Sequence, residues 1–211
     1  MDITFVLYEQ MTALDFVGPY EVLSKLPDVD IHLAALQAGP IPTDTGVACV
    51  ATKPLEEIAA TDIIVVPGTG QILKVLENKP LLDWLRSRGP AAQWVCSVCT
   101  GSLLLGAAGL LEGKRATSHW LALPLLADFG ATPVSERYVF SGNRLTGAGV
   151  SAGIDMALAL VCRLVNDDMA RVIQLGIEYD PAPPLTGGSP ATSDHRIIAQ
   201  AEELLRRATG L

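Results

Sequence analysis

The chain has 211 residues, of which 49% are apolar and only 5% aromatic, and its formal net charge is −8 at pH 7. This length is sufficient for one large α/β domain with a core of mostly Val, Leu, Ile and Ala. No run of Lys or Arg occurs, which argues against nucleic acid or an anionic membrane as the main partner, because both require clustered positive charge.

The cellular compartment is inferred from targeting signals, membrane-spanning runs and cysteine usage. No N-terminal stretch has the pattern of a signal peptide, and no apolar run reaches membrane-spanning length. The four cysteines do not resemble a disulfide framework in a chain of this size. We therefore expect a cytoplasmic protein with reduced thiols.

Strands and helices alternate along the chain. Short, continuously apolar runs predict strands that are covered on both faces, as in a parallel sheet, at 3–8, 30–36, 62–70 and 93–98. Helical patterns occupy 18–26 (with Pro19 at the first position), 71–89 (interrupted near Pro80), 100–111, 151–165 and 195–208. Hairpins are expected at 39–54 and 137–149, and a segment rich in Pro, Gly and Ser at 179–194 is expected to cross the surface. The pattern predicts a single α/β domain over 1–211, with a mostly parallel central sheet.

The stretch SVCTG at 97–101 joins an apolar strand to an apolar helix. It has the form small-x-nucleophile-x-small, which is typical of a nucleophile elbow, with Cys99 in place of serine. Ligands of open parallel sheets bind beyond the carboxyl ends of the strands, where this turn lies. A helix N-terminus next to the sulfur is expected to favour the thiolate.

Three other interpretations of the cysteines remain open. The pattern is also compatible with Cys99 as a simple core residue, as free cysteines often are. The spacing Cys96-x-x-Cys99 allows a redox pair, although the second cysteine, not the first, opens the helix. A zinc site is less favoured, because no second C-x-x-C occurs and the three histidines are scattered.

A cysteine nucleophile needs a partner that transfers protons. Asp15 follows the first strand among apolar residues, where the pKa of a carboxyl group rises. A helix-capping role for Asp15 is equally compatible with the spacing. At the end of another strand, the backbone N–H groups of Gly68 and Thr69 could form a cradle for a developing anion. His119 is a further candidate base, or a residue that caps the following helix.

Several ordered stretches together resemble the PfpI-type superfamily: FVLYEQMTALDFVGPYEVL, DIIVVPGTG, VCSVCTGSLLLGAAGLLEGKRATSHW and RLTGAGVSAGIDMAL. The resemblance implies a class I glutamine-amidotransferase-like, flavodoxin-like three-layer sandwich with helices on both faces of the sheet. Within the superfamily, SVCTGSLLLGAAGLLEGKRAT, SERYV and EYDPAPPLTGGSP resemble the isocyanide hydratases. These enzymes add water to an isocyanide to give an N-substituted formamide.

The resemblance also implies roles for individual residues. Cys99 matches the nucleophile, which would form a thioimidate, and Asp15 stands where many relatives have glutamate. Thr100 replaces the histidine of the protease-like members, so peptidase activity is not expected. Gly68 and Thr69 match the Pro-Gly-Gly turn, with threonine in place of its second glycine. The superfamily implies a homodimer that needs no metal and no organic cofactor.

Other activities remain compatible with the same cysteine. One is a cofactor-free glyoxalase-like or deglycating reaction on small aldehydes, and another is a non-enzymatic sensor of thiol oxidation. Similar domains also form the sensory halves of transcription regulators. The acidic charge and the single final amphipathic helix argue against that role here.

Overall fold

The central sheet is built from the apolar runs of the sequence. The structure, a computed structural model, describes residues 1–209. Its strands are β1 Asp2–Val6, β2 Asp30–Ala35, β3 Gly39–Pro42, β4 Ala48–Ala51, β5 Lys53–Pro54, β6 Ile63–Val66, β7 Trp94–Val98, β8 Arg115–Ala116, β9 Thr132–Pro133, β10 Tyr138–Ser141 and β11 Arg144–Gly147. Seven of them form one sheet in the order β10-β11-β7-β6-β1-β2-β5, which is parallel except for the antiparallel pair β10–β11. The predicted α/β fold with a mostly parallel sheet is confirmed.

The middle strands are covered on both faces. All four residues of β6 are buried, as are the last four of β1 and of β7. Because successive side chains of a strand point to opposite faces, continuous burial requires packing on both sides of the sheet. Phe5 pairs with Val65, and Val65 pairs with Cys96, so β1, β6 and β7 end side by side. The segments that follow these three strands therefore meet at one edge of the sheet.

The helices are α1 Ala13–Leu23, α2 Ile72–Val75, α3 Lys79–Arg88, α4 Gly101–Ala107, α5 Ala152–Leu164, α6 Asp167–Gly176 and α7 His195–Thr209. Helix α1 packs on α5, α5 packs on α6, and α3 packs on α4. Pro80 lies in the first turn of α3, so the predicted interruption at this proline is a boundary between two helices. Helix α6, capped by the Asn166 side chain, is absent from the sequence prediction.

The predicted start of the first helix is wrong. Helix α1 begins at Ala13, five residues before the predicted start at Gly18, and Pro19 lies inside it. Proline in a helix interior removes the hydrogen bond to the carbonyl four residues earlier, here that of Asp15. Close packing accompanies it, since a Cβ on Gly153 of α5 would lie 3.1 Å from Pro19 Cδ. Tertiary packing thus outweighs the local preference of the proline.

Both predicted hairpins are present. Strands β10 and β11 turn at Gly142, whose φ is +63°, and β11 also joins the main sheet beside β7. Strands β3 and β4 pair in a separate two-stranded sheet, while β5 lies at the edge of the main sheet. Among the described residues, no helix has both the length and the apolar character needed to cross a membrane. The last two residues of the predicted domain, 210–211, lie outside the described chain.

Candidate active site

Cys99 occupies the sharp turn between β7 and α4. Its φ is +59°, a left-handed conformation that is strained for any residue with a side chain. The Cys99 N–H fixes this conformation by donating to the carbonyls of Gly147 (3.1 Å) and Ala148 (2.9 Å). A Cβ on Gly101 would lie 2.3 Å from the Val66 carbonyl oxygen, so only glycine fits there. The second small residue of the small-x-nucleophile-x-small pattern is thus required because the backbone of β6 lies against Gly101.

Asp15 lies in the first turn of α1, fully buried beside this cysteine. Its Oδ2 accepts a hydrogen bond of 2.9 Å from the Gly68 N–H. Its Oδ1 is buried and has no hydrogen-bond partner in the described part of the chain. Asp15 does not cap the helix, because the N-cap is Thr12, which itself makes no side-chain capping bond. A buried carboxylate oxygen without a partner is unfavourable for stability and is typical of a functional group.

The turn after β6 connects Asp15 to the nucleophile. Thr100 Oγ1 accepts a hydrogen bond from the Thr69 N–H and donates one to the Thr69 carbonyl, each 2.8 Å long. A Cβ on Gly68 would lie 2.6 Å from the Thr100 nitrogen and 2.8 Å from Asp15 Oδ2, so this glycine is wedged between the two residues. The Thr12 N–H donates to the Gly68 carbonyl at 2.8 Å, which joins the turn to the start of α1.

These hydrogen bonds occupy the two N–H groups that were expected to form a cradle for a developing anion. The Gly68 and Thr69 N–H groups already donate to Asp15 and Thr100, so neither is free for a substrate. The two bonds hold the Asp15 carboxylate and the Thr100 hydroxyl against the turn after β6. Contact between substrate and Thr69, which lines the cavity described below, remains a prediction; Gly68 does not line that cavity.

The acid and the thiol influence each other's protonation. Burial raises the pKa of Asp15 to about 7, an effect that the Gly68 N–H and the Cys99 thiol oppose. Burial, followed by the negative charge of Asp15, raises the pKa of the Cys99 thiol above its ordinary value, although the N–H groups of Val150 and Thr100 lower it. The Thr100 N–H at the start of α4 thus acts in the direction expected of a helix N-terminus, and desolvation opposes it with the larger effect. Asp15 is the carboxyl group placed to accept the thiol proton of Cys99.

Sequence reasoning missed two residues that complete this site. Val150, whose φ is +21°, presents its N–H to the Cys99 sulfur from the loop after β11. The buried Tyr8 hydroxyl donates to the Pro67 carbonyl at 2.6 Å and so braces the turn after β6. The stretch GAGVSAG carries a glycine-rich signal for the Val150 loop, but no local pattern marks Tyr8.

His119 and Cys96 have different surroundings. His119 Nδ1 accepts a hydrogen bond of 3.3 Å from the Leu121 N–H, as in the capping alternative, and the ring also lines the cavity. Burial lowers the pKa of His119, so its imidazole is neutral at neutral pH. Cys96 is fully buried inside β7 and does not line the cavity, which disfavours a redox pair with Cys99. No cluster of three or more His, Cys, Asp or Glu suited to a metal ion occurs among residues 1–209.

A cavity of about 400 Å³ opens onto the nucleophile. Its lining includes Cys99, Thr100, Thr69, His119 and Val150. A larger cavity of about 770 Å³ lies beyond the ends of β1 and β2, but Cys99, Thr100 and Asp15 do not line it. We take the smaller cavity as the candidate active site, because it holds the strained nucleophile.

The DJ-1/PfpI family profile matches residues 1–163. The chain belongs to the DJ-1/PfpI family. A relative named isonitrile hydratase, from Pseudomonas putida, is 45% identical over 203 residues, which are 96% of this chain and 89% of that protein. The crystal structure of a ThiJ/PfpI family protein from Pseudomonas syringae aligns with a TM-score of 0.95 and 37% identity, over 99% of this chain and 87% of that one.

The chain is also similar to part of a larger protein. The HTH-type transcriptional regulator CdhR of Pseudomonas aeruginosa is 27% identical over 176 residues, which are 80% of this chain and 52% of the regulator. The fold alone therefore does not distinguish catalysis from sensing, and the residues of the site decide.

Proposed function

We propose that this protein is an isocyanide hydratase, which converts an isocyanide and water into an N-substituted formamide. The observation that carries the proposal is the pairing of Cys99, on a strained elbow, with a buried Asp15 whose Oδ1 has no partner. The relative named isonitrile hydratase, 45% identical over 96% of the chain, supports the same reaction, since isonitrile and isocyanide name one functional group. Thr100 follows the cysteine in place of a histidine, so Asp15 is the proton carrier in this site.

The first half of the reaction forms a covalent intermediate. Asp15 accepts the thiol proton of Cys99 as the sulfur attacks the terminal carbon of the isocyanide. Asp15 then gives that proton to the same carbon, which yields a thioimidate, R–N=CH–S–Cys99. The isocyanide gains the sulfur and the proton of the thiol, and nothing leaves. A carboxyl group with a pKa of about 7 is suited to both steps, because it accepts and releases a proton near neutral pH.

The second half releases the product. Asp15 removes a proton from a water molecule as the water oxygen attacks the thioimidate carbon. Asp15 then passes that proton to the thioimidate nitrogen. The tetrahedral intermediate collapses to the formamide as its hydroxyl proton passes by way of Asp15 to the departing sulfur, and Cys99 is released as the thiol. The Val150 and Thr100 N–H groups at the sulfur stabilise it as it leaves with negative charge. Splitting one difficult hydration into two steps is the advantage of covalent catalysis.

The test is a turnover assay with matched cysteine variants. Purified protein is incubated with cyclohexyl isocyanide, and N-cyclohexylformamide is measured by chromatography. Wild type and Cys96→Ala are expected to produce formamide, while Cys99→Ala and Cys99→Ser produce none. Cys96 is the control because it lies three residues earlier and outside the cavity. Formamide production by Cys99→Ala would show that Cys99 is not the nucleophile. If wild type produced no formamide, isocyanide hydration would be refuted, and methylglyoxal would be the next substrate to test.

We further propose that the protein is a homodimer, as the family resemblance implies. Exposed aliphatic side chains on α6 support this, since Val172 is 65% and Leu175 81% exposed. Light scattering on wild type and on the variant Val172→Glu/Leu175→Glu tests it. A dimeric wild type with a dissociated variant is expected, and a monomeric wild type would contradict the proposal.

A further inference from the structure

The last turn of α7 forms part of the wall of the Cys99 cavity. Helix α7 buries none of its residues fully, yet Leu205 and Ala208 line the cavity together with the nucleophile. These residues lie more than a hundred positions after Cys99 in the sequence, so the cavity is completed only when the end of α7 reaches the edge of the sheet. The Pro-, Gly- and Ser-rich segment 180–194 separates α7 from the rest of the fold.

Specific contacts hold this turn at the cavity. Gln71 Nε2 donates a hydrogen bond of 3.3 Å to the Ala208 carbonyl. A Cβ on Gly70 would lie 3.1 Å from Thr209 Cγ2, so the turn after β6 and the end of α7 approach closely. The turn after β6, which places Thr69 near the nucleophile, therefore also contacts the end of α7.

Both polar and aliphatic residues line the cavity. The polar lining includes Thr69, Thr100 and Gln10, and the aliphatic lining consists of Leu121, Val150, Leu205 and Ala208. Half of that aliphatic lining therefore comes from α7. No Lys or Arg belongs to the cavity lining within the described chain, and the Asp44 carboxylate does. Such a cavity accommodates an uncharged, apolar group and disfavours an anionic one.

The position of α7 in the chain is compatible with a role in substrate specificity. The family profile ends at residue 163, before α7 begins. The match to the protein named isonitrile hydratase covers 96% of this chain, so it extends well beyond the last residue that the family profile matches. Helix α7 therefore lies outside the part of the chain that defines the family.

We propose that Leu205 and Ala208 form the subsite for the substituent on the isocyanide nitrogen, and that this subsite selects neutral aliphatic or aryl isocyanides by size. The inference rests on the proposed function, because it identifies the substrate class of the same site. Leu205, which is half-buried, forms the inner wall, and the exposed Ala208 forms the rim. The chemistry at Cys99 is common to all substrates, whereas the fit of the substituent is determined by α7.

The first test compares substrates of different size on matched variants. For wild type, Leu205→Ala and Leu205→Trp, kcat/KM is measured with methyl isocyanide and with 1-adamantyl isocyanide. The adamantyl-to-methyl ratio is expected to rise at least about tenfold in Leu205→Ala and to fall by a similar factor in Leu205→Trp. Leu204→Ala and Leu204→Trp are the controls, because Leu204 is 70% exposed and lies outside the cavity. Equal ratios in wild type and both Leu205 variants would overturn the inference.

A second readout does not depend on isocyanide turnover. The labelling rate of Cys99 by iodoacetamide and by N-cyclohexylmaleimide is followed by tandem mass spectrometry, because fragmentation is needed to distinguish Cys99 from Cys96 on the peptide that they share. Leu205→Trp is expected to slow the bulky reagent relative to the small one, while Leu204→Trp does not. If wild type hydrates no isocyanide, this shift still supports the α7 wall while the proposed function fails. If wild type is active but neither readout responds to Leu205, the inference fails alone.

Discussion

Asp15→Asn is expected to stabilise the folded protein at alkaline pH and to abolish its activity. Burial raises the pKa of Asp15 from 3.8 to about 7. The folded state therefore binds this proton more tightly than the unfolded chain does. The resulting loss of stability is absent below pH 4, grows as the pH rises, and is complete above pH 7. At about 1.4 kcal/mol per pKa unit, ionising Asp15 lowers the free energy of unfolding by roughly 4 kcal/mol at pH 8.

Asparagine removes this loss because it carries no charge at any pH. Its side-chain oxygen still accepts from the Gly68 N–H, and its amide group occupies the position of the unpartnered Oδ1. Urea unfolding followed by circular dichroism should show Asp15→Asn more stable than wild type by about 2–4 kcal/mol at pH 8. The two proteins should have similar stability at pH 4. Formamide production by the variant should be undetectable, because an amide cannot transfer the proton.

The matched control is Glu21→Gln on the same helix, whose carboxylate is exposed and paired with Lys25. It should change stability by less than about 1 kcal/mol, as is usual for an exposed ion pair. A gain for Asp15→Asn that is equal at pH 4 and pH 8 would refute the argument, as would a loss of stability at pH 8. Either result would mean that ionising Asp15 does not lower the free energy of unfolding.

Three further predictions follow from the same geometry. The free-enzyme kcat/KM should fall about tenfold per pH unit below pH 7, because protonated Asp15 cannot accept the thiol proton; a flat profile from pH 5 to 8 would contradict this role. Gly101→Ala should destabilise the protein strongly in thermal unfolding, since its Cβ would lie 2.3 Å from a β6 carbonyl, whereas Gly176→Ala, which meets no atom within 4 Å, should not. Thr100→Val should lower kcat by leaving the Thr69 N–H unpaired, and Thr100→Ser should restore it; equal rates in both variants would remove Thr100 from the site.

Much of the fold could be predicted because its strands are continuously apolar. The runs at β1, β2, β6 and β7 are visible without any structure, and their alternation with helices determines the α/β class. Helix α1 was misplaced because Pro19 has a strong local preference for a first turn, which its packing against α5 outweighs. The two-residue strands β8 and β9 are too short to leave a local pattern.

The site was predictable only where its signal is local. The small residues around Cys99 mark an elbow, and the apolar neighbours of Asp15 mark a carboxyl group with a raised pKa. The partners of the Gly68 and Thr69 amides were not predictable, because they depend on how three strand ends meet. The same is true of the thiol: the helix N-terminus is visible in the sequence, but the extent of burial that raises the pKa of Cys99 is not.

During hydration, Cys99 is expected to form a covalent bond to the isocyanide carbon. Rapid-quench mass spectrometry measures this directly: the protein is mixed with cyclohexyl isocyanide, acidified within one turnover, and digested. Fragmentation of the peptide that holds Cys96 and Cys99 is expected to place the mass of one isocyanide molecule on Cys99, and this adduct should decay as formamide appears. Formamide production with no adduct on Cys99 at any time, or with an unchanged rate in Cys99→Ala, would contradict covalent catalysis by Cys99.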